Sequence, residues 1–181
     1  MNPVAIALKS FTGRWCQHWQ EQCGHLPSSA ELYGIASPCI VENRVDRVLW
    51  QPQPFVPEAD LNAVERALEI RIQPSVSAFY TTQFAGEMSA SFGQRALVLS
   101  QVWSWQDFNA TQENLIGHLL MKRCLKQSPT LFIATTNEEA EVISVCNITN
   151  EVILEQPGNN KRAILVNSLE NFLNQLNPVI N

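Results

Sequence analysis

The chain has 181 residues, 45% of them hydrophobic, with 17 Asp plus Glu against 12 Lys plus Arg and a formal charge of −5. That length suffices for one domain with its own core, so disulfides and structural metals are unnecessary, and the composition excludes disorder. The negative balance opposes non-specific binding to nucleic acid or to an anionic lipid surface and favours a basic partner.

Along the chain, MNPVAIALKSF has no basic start and Lys9 interrupts its apolar residues, so no export signal is expected. No run of about 18 apolar residues occurs anywhere, and direct membrane insertion is not expected. Val4, Leu8, Phe11, Trp15 and Trp19 recur at three and four residues and predict a helix ending near Gly24. Its stripe suits the core; the alternative is a partner face.

Cys16, His18, Cys23 and His25 are zinc-ligand types, but on one helix at about 100° per residue His18 turns away from the two cysteines. No metal site is expected. The five cysteines form an odd set without CxxC spacing, which reads as free thiols in a reducing compartment.

Arg47 to Gln51 reads as a strand ended by Pro52, Pro54 and Pro57. A helix is expected next, opened by Glu58 and Asp60, facing inward through Leu61, Val64 and Leu68, and limited by Pro74. Ser75 to Thr81 suggests a short helix, and Glu87 to Val102 a hairpin turning at Gly93. Asp107 is expected to cap a long helix through Phe108, Leu115, Ile116, Leu119 and Leu120, with Lys122, Arg123 and Lys126 suiting its C-terminal dipole.

Thr130 to Thr135, Val142 to Ile148 and Val152 to Leu154 read as adjacent antiparallel strands. Asn167 with Glu170 resembles a capping box, opening a last helix through Leu169, Phe172, Leu173 and Leu176 that stops at Pro178. The order of elements predicts an α+β fold over 1–181: a single compact domain with a mostly antiparallel sheet flanked by helices.

Chemistry-bearing motifs are scarce. The seven glycines never come closer than seven residues, so GxGxxG and GxxxxGK[ST] are excluded, and there is no GxSxG, HExxH or EF-hand loop. His118 follows Glu113 at five residues, and Cys39 or Cys146 would need the fold to bring it near; Cys146 lies in an apolar run that reads as buried and inert. Neither catalysis nor a cofactor is expected.

Several long strings of mixed residue type carry a resemblance. WQPQPF (Trp50 to Phe55), NAVERALEI (Asn62 to Ile70), IQPSVSAFYTTQFAGEM (Ile72 to Met88), QENLIGHLLMKR (Gln112 to Arg123), PTLFIATTNEEAEVISVCN (Pro129 to Asn147) and FLNQL (Phe172 to Leu176) resemble the Syd family, and together span most of the chain. The resemblance implies a non-catalytic protein with a concave acidic surface that docks on basic cytoplasmic loops of the SecY subunit of the SecYEG translocon. It would sequester or negatively regulate unassembled or abnormal SecY. It further implies a peripheral location on the cytoplasmic side of the bacterial inner membrane, with a soluble cytoplasmic pool. The same superfamily includes toxin-immunity proteins, so the alternative is a binder that neutralises a toxin.

Glu65, Glu69, Glu87, Asp107 and Glu113 lie in or beside these strings and are the candidate acidic face; no Lys or Arg occurs between Ala96 and Met121. Glu138, Glu139 and Glu141 read as a solvated loop or part of that face. The resemblance thins from Gln20 to Ser29 and from Ile148 to Ser168, so Glu21, Glu151 and Glu155 inherit no role. Exposed ion pairs are worth about 0.2–1 kcal/mol each, whereas micromolar affinity needs about 8 kcal/mol. Trp50, Phe55, Phe79, Tyr80 and Phe84 are therefore candidate apolar anchors, with core packing as their alternative.

Overall fold

The predicted N-terminal stripe forms α1 (Pro3–Cys23), which opens where Asn2 Oδ1 accepts the Val4 N–H at 2.7 Å and closes at Gly24 with φ 75°. Proline is already suited to its first turn, and glycine adopts the left-handed closing conformation without a Cβ clash. The computed structural model describes residues 2–180; Met1 and Asn181, the ends of the expected 1–181 unit, lie outside the described residues.

Three short strands follow, β1 (Ser28–Ser29), β2 (Ile40–Asn43) and β3 (Val48–Trp50), paired in the order β1-β3-β2. Next come β4 (Gln53–Pro54), α2 (Asn62–Leu68), α3 (Pro74–Thr81) and β5 (Gln83–Phe84), with β4 pairing to β5. The rest of the chain is β6 (Met88–Phe92), β7 (Arg95–Leu99), α4 (Trp105–Cys124), β8 (Thr130–Thr136), β9 (Val142–Cys146), β10 (Val152–Glu155), β11 (Arg162–Val166), α5 (Leu169–Gln175) and β12 (Asn177–Pro178).

Seven of these strands form one curled sheet in the order β11-β10-β9-β8-β7-β6-β12, with every neighbouring pair antiparallel. The protein is α+β, as the element order predicts. α4 packs on β8 and α2, while α1 packs on α3 and α5. Leu8, Phe11, Phe79, Leu115 and Phe172 are fully enclosed between these layers, and each such side chain contributes roughly 1.5–3 kcal/mol by leaving water.

Local chemistry shifts several boundaries. Pro74 does not limit α2, which already ends at Leu68 with Glu69 left-handed at φ 55°; Pro74 instead opens α3. α4 starts three residues earlier than a cap at Asp107 requires, because the Ser104 hydroxyl accepts the Asp107 N–H at 3.1 Å. Likewise Ser168, not Asn167, caps α5 by accepting the Asn171 N–H at 3.1 Å. In both places a serine stands at the N-cap and its short hydroxyl reaches the orphan N–H.

Candidate functional site

α4 carries Asp107, Ala110, Thr111 and Asn114 at intervals that place them on one helix face, and this face forms a wall of a cleft of about 470 Å³. Gly86 and Glu87 form part of the opposite side, with Leu32, Trp103 and Phe132 supplying apolar lining. Among the described residues neither Lys nor Arg lines it. A second concavity of about 500 Å³ adjoins it, shares Leu32 and Glu87, and adds Glu31 with Arg47. Glu31, Glu87 and Asp107 thus converge from three separate parts of the chain.

The charge is held in place by the backbone. Asp107 Oδ2 accepts the Trp103 N–H at 2.7 Å, which fixes the carboxylate at the helix entrance where the dipole favours it. Glu87 reaches solvent, yet the cleft wall withdraws part of its water, and this burial, followed by the charges of Glu31 and Asp107, pushes its carboxyl above the usual range. An acid held up by burial and by like-charged neighbours gains from a nearby cation.

Gly86 is required for this arrangement. A Cβ there would stand 2.9 Å from Leu32 Cδ1 and 2.9 Å from Trp50 Cε2 and Cζ2, so only glycine lets the wall lie flat on the indole. The ladder of β8 and β9 is irregular between Phe132 and Ala134, and there the Tyr80 hydroxyl donates to the Phe132 carbonyl at 2.6 Å. Burial, then the Asp107 charge, raises the Tyr80 pKa far above the ordinary phenol value, so Tyr80 stays a neutral donor.

The candidate anchors are all buried. Trp50 is 1% exposed, and Phe55, Phe79, Tyr80 and Phe84 are likewise enclosed; Tyr80 contributes to the lining of the cleft and Trp50 to that of the adjoining concavity, while Phe55, Phe79 and Phe84 line neither. Trp50 stacks on Trp15 with centroids 5.5 Å apart and meets Trp103 edge-on at 5.9 Å; Phe55 stacks on Phe84 at 4.4 Å. They pack the core and, through Trp50 and Tyr80, support the cleft from below. Among the aromatics that do reach the surface are Tyr33, 46% exposed, and Trp105, 38% exposed beside Phe55 at 4.9 Å.

Nor do the other candidate acids join the cleft. Glu65 accepts the Ile72 N–H at 2.8 Å, and with Glu69 it lines a separate groove of about 700 Å³ that Arg66 and Arg71 also line. Glu113 is exposed on α4 but lies six residues beyond Asp107, roughly 240° around the helix. Glu138 and Glu139 are in an exposed loop, and Glu141 pairs with Arg95 at 3.4 Å. Glu31, absent from the candidates, sits in a segment without a matching string; only folding sets it against Glu87.

A buried polar cluster was also absent from the candidates. Lys122 is not a solvated helix-end charge: its side chain is 5% exposed and its Nζ donates to Glu155 Oε1 at 2.5 Å and Gln127 Oε1 at 3.2 Å. Thr130 donates to Glu155 Oε2 at 2.6 Å and stands 2.8 Å from His118 Nε2. With the hydroxyl proton committed to Glu155, Nε2–H is the donor to Thr130. Burial pushes the Glu155 carboxyl up, but the hydrogen bonds from Lys122 and Thr130 outweigh it and hold it below the usual value. Burial lowers His118, with Glu155 opposing and Lys122 assisting.

All five cysteines are free thiols. α1 stays helical through Cys23, and among the described residues no group of three or more His, Cys, Asp or Glu is gathered as a metal site. Cys146 is buried as expected. Burial raises its pKa, yet hydrogen bonds from Thr149, Arg162 and the Thr149 and Ile148 N–H groups bring it down to about 7.

Fold and cleft together define an α+β protein with a concave acidic surface, and among the described residues no helix is long and apolar enough to cross a membrane. The family model described as "Syd protein (SUKH-2)" matches residues 5–178, so the chain belongs to the Syd family. "Protein Syd" of Erwinia tasmaniensis is 59% identical over 180 residues, covering 99% of this chain and 97% of the relative. "Protein Syd" of Yersinia pestis (strain Pestoides F) and of Yersinia pseudotuberculosis serotype IB are each 53% identical over 177 residues, covering 98% of this chain and 97% of theirs.

Proposed function

We propose that the cleft lined by Glu87 and Asp107, with the adjoining concavity that adds Glu31, binds basic cytoplasmic loops of the SecY channel subunit. The protein acts by binding, without catalysis or cofactor, and is held at the cytoplasmic side of the bacterial inner membrane through SecY. By occupying those loops it sequesters or negatively regulates unassembled or abnormal SecY. The observation that carries this reading is the convergence of three acids on adjoining concavities, with Glu87 held above its usual pKa by its surroundings.

Cytoplasmic loops of membrane proteins are rich in Lys and Arg, so they supply cations to a cluster in which Arg47 is, among the described residues, the one basic lining residue. Leu32, Trp103 and Phe132 in the same cleft offer apolar contact, which the ion pairs need to reach useful affinity. Membership of the Syd family supports the same partner.

The test is binding of the purified protein to SecY-containing membranes beside SecY-depleted ones, with salt titrated across both. SecY-dependent binding that weakens with salt is expected. Equal binding to both membranes, or binding to neither, overturns the assignment and favours the toxin-neutralising alternative.

A further inference from the structure

At the far end of α4, about 22 Å of helix rise from Asp107 to Lys122, the charge changes sign. Lys122, Lys126, Lys161 and Arg162 line one concavity of about 280 Å³, together with Ser128 and Asn160. Four of the chain's 12 Lys and Arg thus face one small space in a protein of net charge −5. Its one carboxylate, Glu155, is already engaged by Lys122 and Thr130. Lys126, Lys161 and Arg162 make no ion pair among the described residues.

The concavity is built rather than incidental. Gln127 Nε2 donates at 3.0 Å to both the Asn159 carbonyl and Asn160 Oδ1, clamping the tip of the β10–β11 hairpin to the end of α4. Lys161 N–H donates to Asn159 Oδ1 at 2.7 Å and Gln156 N–H to the Lys161 carbonyl at 3.1 Å, which fixes the tip itself. Because Asn160 Oδ1 accepts from Gln127, its amide N–H groups remain as donors.

Two ordinary explanations account for part of this. Lys126 complements the negative end of α4, and charge on β11 discourages pairing along the exposed sheet edge. Neither explains why Lys161 and Arg162, from the hairpin, are turned into the same concavity as Lys126 and the buried Lys122. Cations held side by side repel unless an anion joins them. The space is just below the range of about 300–1,000 Å³ typical of organic-ligand sites, which suits a small group. Donors from the α4 end and the hairpin, including a planar guanidinium fork, fit the several oxygens of a tetrahedral anion better than a flat carboxylate.

We infer that this basic concavity is a binding site for a phosphate group, separate from the acidic cleft. The group belongs either to a soluble phosphate ester or to the headgroup of an anionic phospholipid.

The experiment titrates the full chain at low ionic strength with inorganic phosphate, with glycerol 3-phosphate, and with phosphatidylcholine vesicles with or without phosphatidylglycerol. Calorimetry reports affinity, and amide NMR shifts of Ser128, Asn160 and Lys161 report location. Saturable binding is expected, weakened about tenfold or more in Lys126→Gln/Lys161→Gln/Arg162→Gln, whose replaced side chains are exposed. It should persist in Lys9→Gln/Arg44→Gln/Arg66→Gln, which removes the same charge elsewhere. Binding of the soluble phosphates alone assigns a soluble ligand; binding of phosphatidylglycerol vesicles alone assigns a lipid headgroup; binding of both assigns the shared group. No binding of any probe, or equal loss in both triple variants, overturns the site.

Discussion

Lys122 Nζ and Glu155 Oε1 lie 2.5 Å apart with their side chains 5% and 2% exposed, joining the last turns of α4 to β10 across the core. Removing one partner strands the other charge away from water. Lys122→Met is expected to cost about 3–5 kcal/mol in urea unfolding, whereas Lys122→Met/Glu155→Leu should recover much of it, because a matched apolar pair leaves no buried charge. A mild loss in the single variant would show that the pair is not the tie described.

Acid should loosen the same cluster in two stages. His118 is lowered from 6.5, so as pH falls below that value the unfolded chain takes up a proton that the native protein refuses, and stability drops. Glu155 is lowered from 4.5, so its stabilisation is complete above that value and is lost as pH falls through the depressed one. Glu87, raised, acts in the opposite sense just above 4.5, where the native protein holds the extra proton. His118→Gln should therefore remove only the first decline, read as the difference in Tm between variant and parent from pH 7 to 5.

The wall of the acidic cleft depends on a missing side chain. Gly86→Ala forces a methyl to 2.9 Å from the Trp50 ring and Leu32, and overpacking of this kind costs about 1–3 kcal/mol. Chemical denaturation should show that loss. Stability equal to the parent would mean that Trp50 and Leu32 yield without cost.

Sequence patterns reveal those parts of this fold that depend on near neighbours. The α1 stripe, the β6–β7 hairpin and the apolar runs of β8 to β10 follow from periodicity and β-branched content. The two-residue strands β1, β4, β5 and β12 have no such signal and exist through tertiary pairing. β11 is missed because Arg162, Ala163 and Ile164 are exposed at the sheet edge and lack inward-outward alternation. Lys122 reads as a helix-end charge because Glu155 is 33 residues away, and Glu31 is invisible as a site residue for the same reason. Aromatic type alone gives no direction, so Trp50, Phe55, Tyr80 and Phe84 are legible as important but not as buried.

Occupation of the acidic cleft by a cation should pull the raised Glu87 pKa back towards the ordinary carboxylate value. Binding of a SecY loop peptide slightly above pH 4.5 should then release protons. Calorimetry in buffers of different ionisation enthalpy measures that release, and Glu87→Gln should abolish its Glu87 component. Proton uptake by the parent would have the wrong sign.

The location of the acidic docking surface is tested most directly by comparing two double reversals of equal net charge for affinity to SecY-containing membranes. Glu31→Lys/Glu87→Lys alters the cleft, while Glu69→Lys/Glu113→Lys alters acids outside it. The first is expected to weaken binding about tenfold or more and the second by less than about twofold, since contact charges act locally at physiological salt. Equal weakening by both, or a larger effect from the second pair, would contradict docking through the cleft.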